Sequence, residues 1–195
     1  MFMRTPRLLL RPAWSEDVGE LTAAIAHESV ARMLARLPWP YDEADAHAFV
    51  AQRRNPHLPS LVVTVPGARG AIVGGVGLHD EAGEAHVGYW VTPPAWGCGI
   101  ATEALRGMAD LAKLCGHARL VARHAIDNPA SGRVLRNAGF RPTGRTTCYS
   151  SPGRGGNPVA APEYALDLSA TGNHEAGQDR GDPAKPRGRM VPAAA

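Results

Sequence analysis

The feature that most constrains the fold is a strand pattern that runs into a glycine-bearing turn and then into a long helix. The strand pattern is His86-Val87-Gly88-Tyr89-Trp90-Val91, and two prolines follow it closely. The turn is Trp96-Gly97-Cys98-Gly99, after which apolar residues recur at helical spacing over roughly 100–115. Gly116 lies where a C-terminal helix cap belongs. A strand, a tight turn and an amphipathic helix in this order predict an α/β fold.

Further strand and helix patterns alternate along the chain. Strands are predicted at 7–11, 61–65, 71–73, 120–126, 146–149 and 163–168. Helices are predicted after a cap at Ser15, from Asp42, and from Asn128-Pro129 to Gly139. Leu37-Pro38-Trp39-Pro40 must be a loop because proline breaks a helix, and Pro66–Gly70 has turn chemistry. The expected result is a mixed sheet with an N-terminal pair of helices and two later ones.

Composition indicates one domain with a tail. The 195 residues are 44% hydrophobic and 20% charged, which suits a globular protein that buries a core. Residues 169–195 contain no aromatic side chain and many Gly, Pro and charged residues, so they cannot bury enough surface to offset the entropy of ordering. We therefore expect a domain over 1–168 and a disordered tail over 169–195.

Charge and cysteine content exclude several classes of protein. A net charge of +3 is too small and dispersed to indicate a nucleic-acid partner. No stretch approaches the ~20 apolar residues of a membrane span. The three cysteines have no pairwise motif, and the eight histidines have neither H-x-x-x-H spacing nor neighbouring cysteines. We expect a cytoplasmic protein that has no membrane partner, no disulfide framework and no metal site. We expect it to be a monomer or a homodimer.

The turn has a physical meaning of its own. The first turn of a helix leaves backbone N–H groups without partners, and the helix dipole favours an anion there. Gly97 and Gly99 remove side chains that would hold a phosphate off the backbone, Ala101 is small, and the Thr102 hydroxyl can add a hydrogen bond. The alternative is a tight connection with no ligand.

Two nucleotide-binding motifs fail at this turn. A dinucleotide fingerprint requires a third glycine where Thr102 stands. A P-loop requires Lys followed by Ser or Thr after its last glycine, where this chain has Ile100-Ala101.

These residues resemble the GNAT superfamily of N-acetyltransferases, and most of all its ribosomal-protein N-terminal alanine acetyltransferase branch. The resemblance covers roughly 5–168. It includes several motifs in the order and spacing of the family: Thr5-Pro6-Arg7-Leu8-Leu9-Leu10-Arg11-Pro12, Val87-Gly88-Tyr89-Trp90, Trp96–Ala104, Asn128-Pro129-Ala130-Ser131 and Asn137-Ala138-Gly139-Phe140. Several motifs together are more specific than the turn alone.

The resemblance implies a central, mostly antiparallel sheet with a splayed strand pair, flanked by helices, and acetyl-CoA as cosubstrate. The strand ending at Val91 would bind the pantetheine arm through its amides, and Asn128 would meet the cofactor at the mouth of the splay. The pyrophosphate would lie on the turn formed by Trp96, Gly97, Cys98, Gly99, Ile100, Ala101 and Thr102. Two positions depart from the family pattern: Trp96 replaces a frequent Gln or Arg, and Cys98 replaces a frequent basic residue.

The resemblance and the chemistry of the transfer also suggest catalytic residues. A Ser at the place of Ser131 is the family's proposed acid for the leaving thiolate; the alternative is a helix-start hydroxyl bonded to backbone. His86 is the candidate base because imidazole titrates in the useful range, and the alternative is a surface or hydrogen-bonded strand histidine. Glu84 and His79 are weaker candidates nearby.

Other residues are open to two interpretations. Trp39, Tyr41, Trp90 and Tyr149 would line an acceptor pocket or pack in the core. Cys98 would be a redox-active thiol at a helix N-terminus or a simple spacer.

Two functions remain open from the sequence. The first is direct transfer of an acetyl group from acetyl-CoA to a primary amine, on a protein N-terminus or a small molecule. The second is a non-catalytic acyl-CoA-binding or regulatory module of the same fold. The pair of glycines together with Asn128 and Ser131 favours the enzyme.

Overall fold

A continuous sheet organises the chain. The computed structural model describes residues 1–53, 55–67 and 70–169, and within them the sheet has eight strands. In chain order these are β1 (Met3–Arg4), β2 (Leu9–Arg11), β3 (Ser60–Thr64), β4 (Ile72–Glu81), β5 (Glu84–Val91), β6 (Arg119–Arg123), β7 (Arg141–Ser150) and β8 (Pro158–Asp167). They lie in the order β1-β2-β3-β4-β5-β6-β8-β7. Neighbouring strands are antiparallel apart from the parallel pair β5 and β6, which confirms the expected mixed, mostly antiparallel sheet.

The helices cover the two faces of this sheet. They are α1 (Val18–Ile25), α2 (Glu28–Ala31), α3 (Glu43–Ala51), α4 (Ile100–Leu114) and α5 (Pro129–Asn137). The apolar sides of α4 and α5 share a buried cluster with alternate residues of the strands, including Val87 and Leu120. The first three helices form a second cluster, which contains Val62 and Ile72. We call these the α4 face and the α1 face of the sheet.

Most predicted helix boundaries are confirmed. Asp42 accepts the amide of Asp45 at 3.1 Å at the start of α3, and the side chain of Asn128 accepts the amide of Ser131 at 3.1 Å at the start of α5. Gly116 follows α4 with φ of 89°, as a C-terminal cap requires. Proline patterns and cap residues are local signals, so the sequence predicts these ends well.

The predicted cap at Ser15 is wrong. Ser15–Asp17 is a 3₁₀ turn, and α1 begins only at Val18. The Asp17 carboxylate takes the capping role, because it accepts the backbone N–H of Trp14 at 2.7 Å. It also forms a buried bidentate pair with Arg11, at 2.6 and 2.8 Å, and this guanidinium holds the pKa of Asp17 below its usual value. Helix α2 was not predicted from the sequence.

The predicted strands are too short where glycine interrupts the apolar pattern. The expected strand at 71–73 is only the beginning of β4, which continues through Gly74, Gly75 and Gly77 to Glu81. A β-carbon on Gly75 would lie 2.5 Å from the indole nitrogen of Trp90 on β5. Glycine is needed here for the close approach of an aromatic side chain, a tertiary reason that strand propensity does not register.

Some expectations fall outside the described residues. The predicted turn Pro66–Gly70 includes residues 68 and 69, which lie outside the described residues. Of the predicted tail at 169–195, only Ser169 lies within them. The predicted loop at 37–40 is confirmed. Among the described helices, none combines the length and the apolar character required to cross a bilayer.

Replacing Asp17 with Ala should lower the free energy of unfolding by about 3 kcal/mol, because the change leaves the Arg11 guanidinium buried without its partner. The measurement is urea unfolding followed by circular dichroism. The matched control is Glu16→Ala, an exposed acidic neighbour whose removal should change stability by less than about 0.5 kcal/mol. Equal effects of the two substitutions would contradict a structural role for the Arg11–Asp17 pair.

Candidate functional site

The glycine-bearing turn connects β5 to α4 in a conformation that glycine favours. After Val91 the chain forms a 3₁₀ turn at Pro93–Ala95, and α4 begins at Ile100. Gly97 and Gly99 both have φ of 76°, the left-handed region in which other residues are strained. The first amides of α4 have no intrahelical acceptor. The left-handed conformation is thus a second reason for glycine at both positions, beside the missing side chains that the sequence analysis considered.

A clamp from the N-terminal segment holds this turn. Arg7 donates from its guanidinium to the carbonyl of Cys98 at 3.0 Å and to the carboxylate of Glu103 at 2.6 Å. Glu103 also accepts the Thr5 hydroxyl at 2.6 Å, and Trp96 donates its indole N–H to the carbonyl of Val91 at 2.7 Å. In the sequence, Thr5 and Arg7 were noted only as part of a family motif. Their contacts with Glu103 and Cys98 join residues more than 90 positions apart, and such contacts leave no local pattern.

Strands β5 and β6 separate beside the turn. In the part of the chain that the structure describes, they pair at a single position, His86 with Val121. On its other edge β5 remains paired with β4 up to Val91. The two parallel strands therefore diverge toward their carboxyl ends, which confirms the expected splayed pair.

Ser131 and Tyr89 meet on the α4 face of the splay. The Tyr89 hydroxyl lies 2.6 Å from the Ser131 hydroxyl, and burial raises the pKa of Tyr89 to about 12. Asn128 fixes the same segment by accepting the Ser131 amide. The Ser131 hydroxyl is thus paired with a phenol. Sequence reasoning missed Tyr89 as a partner, although strand alternation puts Tyr89 on the face of Val87.

His86 lies on the opposite, α1 face, and Ser131 is not brought next to it. Val87 packs in the cluster of α4, so its neighbour His86 projects to the other side of the sheet. The side chain is buried, at 4% exposure, which excludes the surface histidine. Glu84, a weaker candidate, pairs instead with Arg119 at 3.1 Å.

Two further groups surround His86. His79 is its cross-strand partner on β4, with ring centroids 5.6 Å apart. The Glu81 carboxylate lies 3.8 Å from His86 Nδ1 and 3.9 Å from His79 Nε2. Burial lowers the pKa of His79 to about 4 and lowers the pKa of His86 as well, so both rings are uncharged at neutral pH. Spacing rules within one segment cannot find this group because it forms across a hairpin.

A charged network continues from this group across the α1 face. Arg123 on β6 donates to Glu81 at 2.6 Å and to Glu163 at 3.2 Å. Glu163 is itself buried, at 2% exposure. The carboxylates of Glu81 and Glu163 share the Arg123 guanidinium, so neither negative charge is left without a positive partner in this partly buried region.

One groove of about 1550 Å³ has lining residues from both faces of the sheet. On the α4 face the predicted cofactor residues line it with Ser131: Trp96, Gly97, Gly99, Ile100, Ala101, Thr102, Asn128 and, at the end of β5, Val91. On the α1 face His79, Glu81, His86 and Arg123 line it. The exposed side chain of Cys98 instead turns back to the carbonyl of Trp96, with 3.5 Å between sulfur and oxygen.

The aromatic candidates divide between the groove and the core. Tyr41, Trp90 and Tyr149 line the groove, and Tyr41 and Trp90 also pack in the cluster of α1. Trp39 packs against the same cluster and is not among the lining residues that the structure describes. The groove is longer than a compact pocket and suits an extended ligand that passes from one face to the other.

Known structures share this architecture. The chain resembles a ribosomal-protein-S5-alanine acetyltransferase from Vibrio fischeri, with 16% identity, a TM-score of 0.72 and coverage of 87% of this chain and 98% of that one. It resembles a ribosomal L7/L12 α-N-protein acetyltransferase in complex with coenzyme A, with 19% identity, a TM-score of 0.71 and coverage of 88% and 100%. A microcin C7 self-immunity acetyltransferase in complex with acetyl-CoA and AMP has 20% identity, a TM-score of 0.70 and coverage of 84% and 93%.

The sequence itself assigns the family. No curated protein matches it significantly. The sequence profile of the acetyltransferase (GNAT) domain matches residues 7–141, more than half of the chain, and this range contains Arg7 and Glu103 of the clamp, the turn, the splayed strands and α5. The chain belongs to the GNAT acetyltransferase family and is an acyltransferase.

Proposed function

We propose that this protein transfers an acetyl group from acetyl-CoA directly to a primary amine, on a protein N-terminus or a small molecule. The observation that supports the proposal is the groove through the splay, which is lined by the glycine-bearing turn and the Ser131–Tyr89 hydroxyl pair on one face and by His86 on the other. Structural neighbours that are complexes with coenzyme A or with acetyl-CoA support the choice of cosubstrate.

In this proposal the pyrophosphate binds the turn between Trp96 and Thr102. The amides of Gly97 through Thr102 lie at the start of α4, where the helix dipole favours an anion. Cys98 contributes its backbone, since its thiol points away. Arg7 supplies the positive charge that Cys98 lacks, because its guanidinium lies 3.3 Å from the place of a β-carbon on Gly99. The pantetheine arm follows the free edge of β5 near Val91 and passes Asn128.

The hydroxyl pair would then serve the leaving group. When the amine attacks the thioester carbonyl, the C–S bond breaks and the thiolate needs a proton. Ser131 would donate this proton and regain one from solvent. The Tyr89 hydroxyl lies 2.6 Å from the Ser131 hydroxyl oxygen and 3.2 Å from the Ser131 carbonyl oxygen, and in this scheme it donates to the hydroxyl oxygen, which orients the serine hydrogen toward sulfur. Tyr89 is thus a positioning residue in this scheme.

His86 would accept the proton of the amine on the α1 face. Its imidazole lines the groove, and Glu81 lies close enough to stabilise an imidazolium. The acceptor sets how much base strength is needed. At pH 7 an α-amino group costs about 1 kcal/mol to deprotonate, whereas a lysine costs roughly 4–5 kcal/mol. A protein N-terminus is therefore the less demanding acceptor for this site.

Gly99→Glu should weaken coenzyme A binding by on the order of 100-fold, because the new carboxylate occupies the phosphate position with like charge. Isothermal titration calorimetry with coenzyme A measures the effect. Gly144→Glu is the matched control: Gly144 has φ of 81°, close to the 76° of Gly99, and it is exposed on β7. Retained binding in Gly99→Glu would overturn the pyrophosphate assignment.

Ser131→Ala should lower kcat by roughly 100-fold and leave KM for acetyl-CoA nearly unchanged, because a proton donor acts on the chemical step. Tyr89→Phe should lower kcat by about 10-fold, the value of one oriented hydrogen bond. Tyr164→Phe is the control, since Tyr164 is a buried tyrosine on the α4 face that is bonded to Arg136. A fall in kcat that is equal in the two tyrosine variants would contradict the positioning role of Tyr89.

The reaction itself is tested by measuring thiol release from acetyl-CoA with N-terminal peptides, free amino acids and aminoglycoside-like amines. We expect release that requires an amine and yields the N-acetylated acceptor by mass spectrometry. Coenzyme A binding without release for every acceptor would contradict the proposed transfer and favour a binding module.

A further inference from the structure

The group formed by His79, Glu81 and His86 has the chemistry of a metal site. His79 and His86 face each other across the β4–β5 hairpin, and Glu81 follows His79 by two residues, so all three side chains project from the α1 face. Their donor atoms lie within 4.8 Å of one another. Two imidazoles and one carboxylate are a ligand set that zinc and similar transition-metal ions take in proteins.

The distances within this group fit coordination better than hydrogen bonding. Glu81 Oε2 lies 3.9 Å from His79 Nε2 and 3.8 Å from His86 Nδ1, too far for hydrogen bonds. Two ligands of one tetrahedral zinc ion, each ~2.0–2.1 Å from the metal, lie about 3.4 Å apart. The donor atoms, all within 4.8 Å of one another, must move closer by side-chain rotation to reach that separation.

The surroundings complete the site. Arg123 Nη1 donates to the other carboxylate oxygen of Glu81 at 2.6 Å, which orients the ligand oxygen in the way that outer-shell partners of metal ligands do. Arg123 is itself shared with Glu163, which also pairs with Arg145 at 3.7 Å. The side chain of His79 is 35% exposed, and the group lines the groove, so an ion has an entry path and room for water or a ligand.

We propose that His79, Glu81 and His86 form a binding site for a divalent transition-metal ion of the zinc class. The site lies at the acceptor end of the groove, and its occupation would engage the imidazole of His86. Metal binding at this place is a property of the folded hairpin, so it does not depend on the proposed acetyl transfer.

The test is a titration of the full-length chain, free of any affinity tag, with Co²⁺ followed by visible absorption and with Zn²⁺ followed by calorimetry. We expect one ion per chain and the intense ligand-field bands of four- or five-coordinate cobalt. His79→Ala and Glu81→Gln should each weaken binding by at least about 10-fold. The side chains of His79 and Glu81 are both partly exposed, so these variants should fold, and circular dichroism checks that they do.

Two controls separate this site from other ligands in the chain. His47→Ala removes an exposed histidine on α3, and Cys98→Ser with Cys148→Ser removes the two exposed thiols. Both proteins should bind as the unaltered chain does. Absence of binding at millimolar metal, or affinity unchanged in His79→Ala and Glu81→Gln, would overturn the proposal and leave these residues as a polar cluster around solvent.

Discussion

The separation of β5 from β6 is the constraint on which the rest of this structure depends. A parallel pair held at His86 and Val121 alone, among the described residues, opens the sheet at its carboxyl ends. The sheet nevertheless stays intact, since β4 pairs with the whole length of β5 and β8 with the whole length of β6. These antiparallel neighbours keep both strands in the sheet, but they cannot bond the backbone groups of β5 and β6 that face the gap, because a strand directs its N–H and C=O groups to both edges. The gap lets one groove reach both faces of an otherwise closed layer.

The turn that follows β5 depends on a different kind of support. Gly97 and Gly99 adopt the left-handed conformation that this turn requires, and glycine takes that conformation without strain. Arg7 and Glu103 then tie the turn to the first strands of the sheet. The clamp also brings the Arg7 guanidinium, itself paired with Glu103, against the carbonyl of Cys98. An arginine from the N-terminal segment and a helix N-terminus are therefore part of one surface, although more than 90 residues separate them.

The chemistry is divided between the two faces of the sheet. The Ser131–Tyr89 pair lies with α4 and α5, whereas His86 lies with His79, Glu81 and Arg123. A cosubstrate and an acceptor that approach from opposite sides would meet in the splay, which is what direct transfer between them requires. The same hairpin geometry that presents an imidazole to the groove also brings together the ligands of the proposed metal site. Whether His86 meets an amine or an ion is then a question of what occupies the acceptor end.

The sequence by itself determined the local features: the helix that follows the two glycines, the starts at Asp42 and Asn128, the loop of prolines, and the order of family motifs. These depend on backbone conformation and neighbours close in the chain, which residue types encode directly. It did not determine the full lengths of β4, β7 and β8, the cap at Asp17, or the glycine positions on β4 that admit Trp90. Nor did it reveal the Arg7 clamp, the partner of Ser131, or the histidine pair on the hairpin. Each of these forms only when distant strands come into register, so the tertiary structure alone decided them.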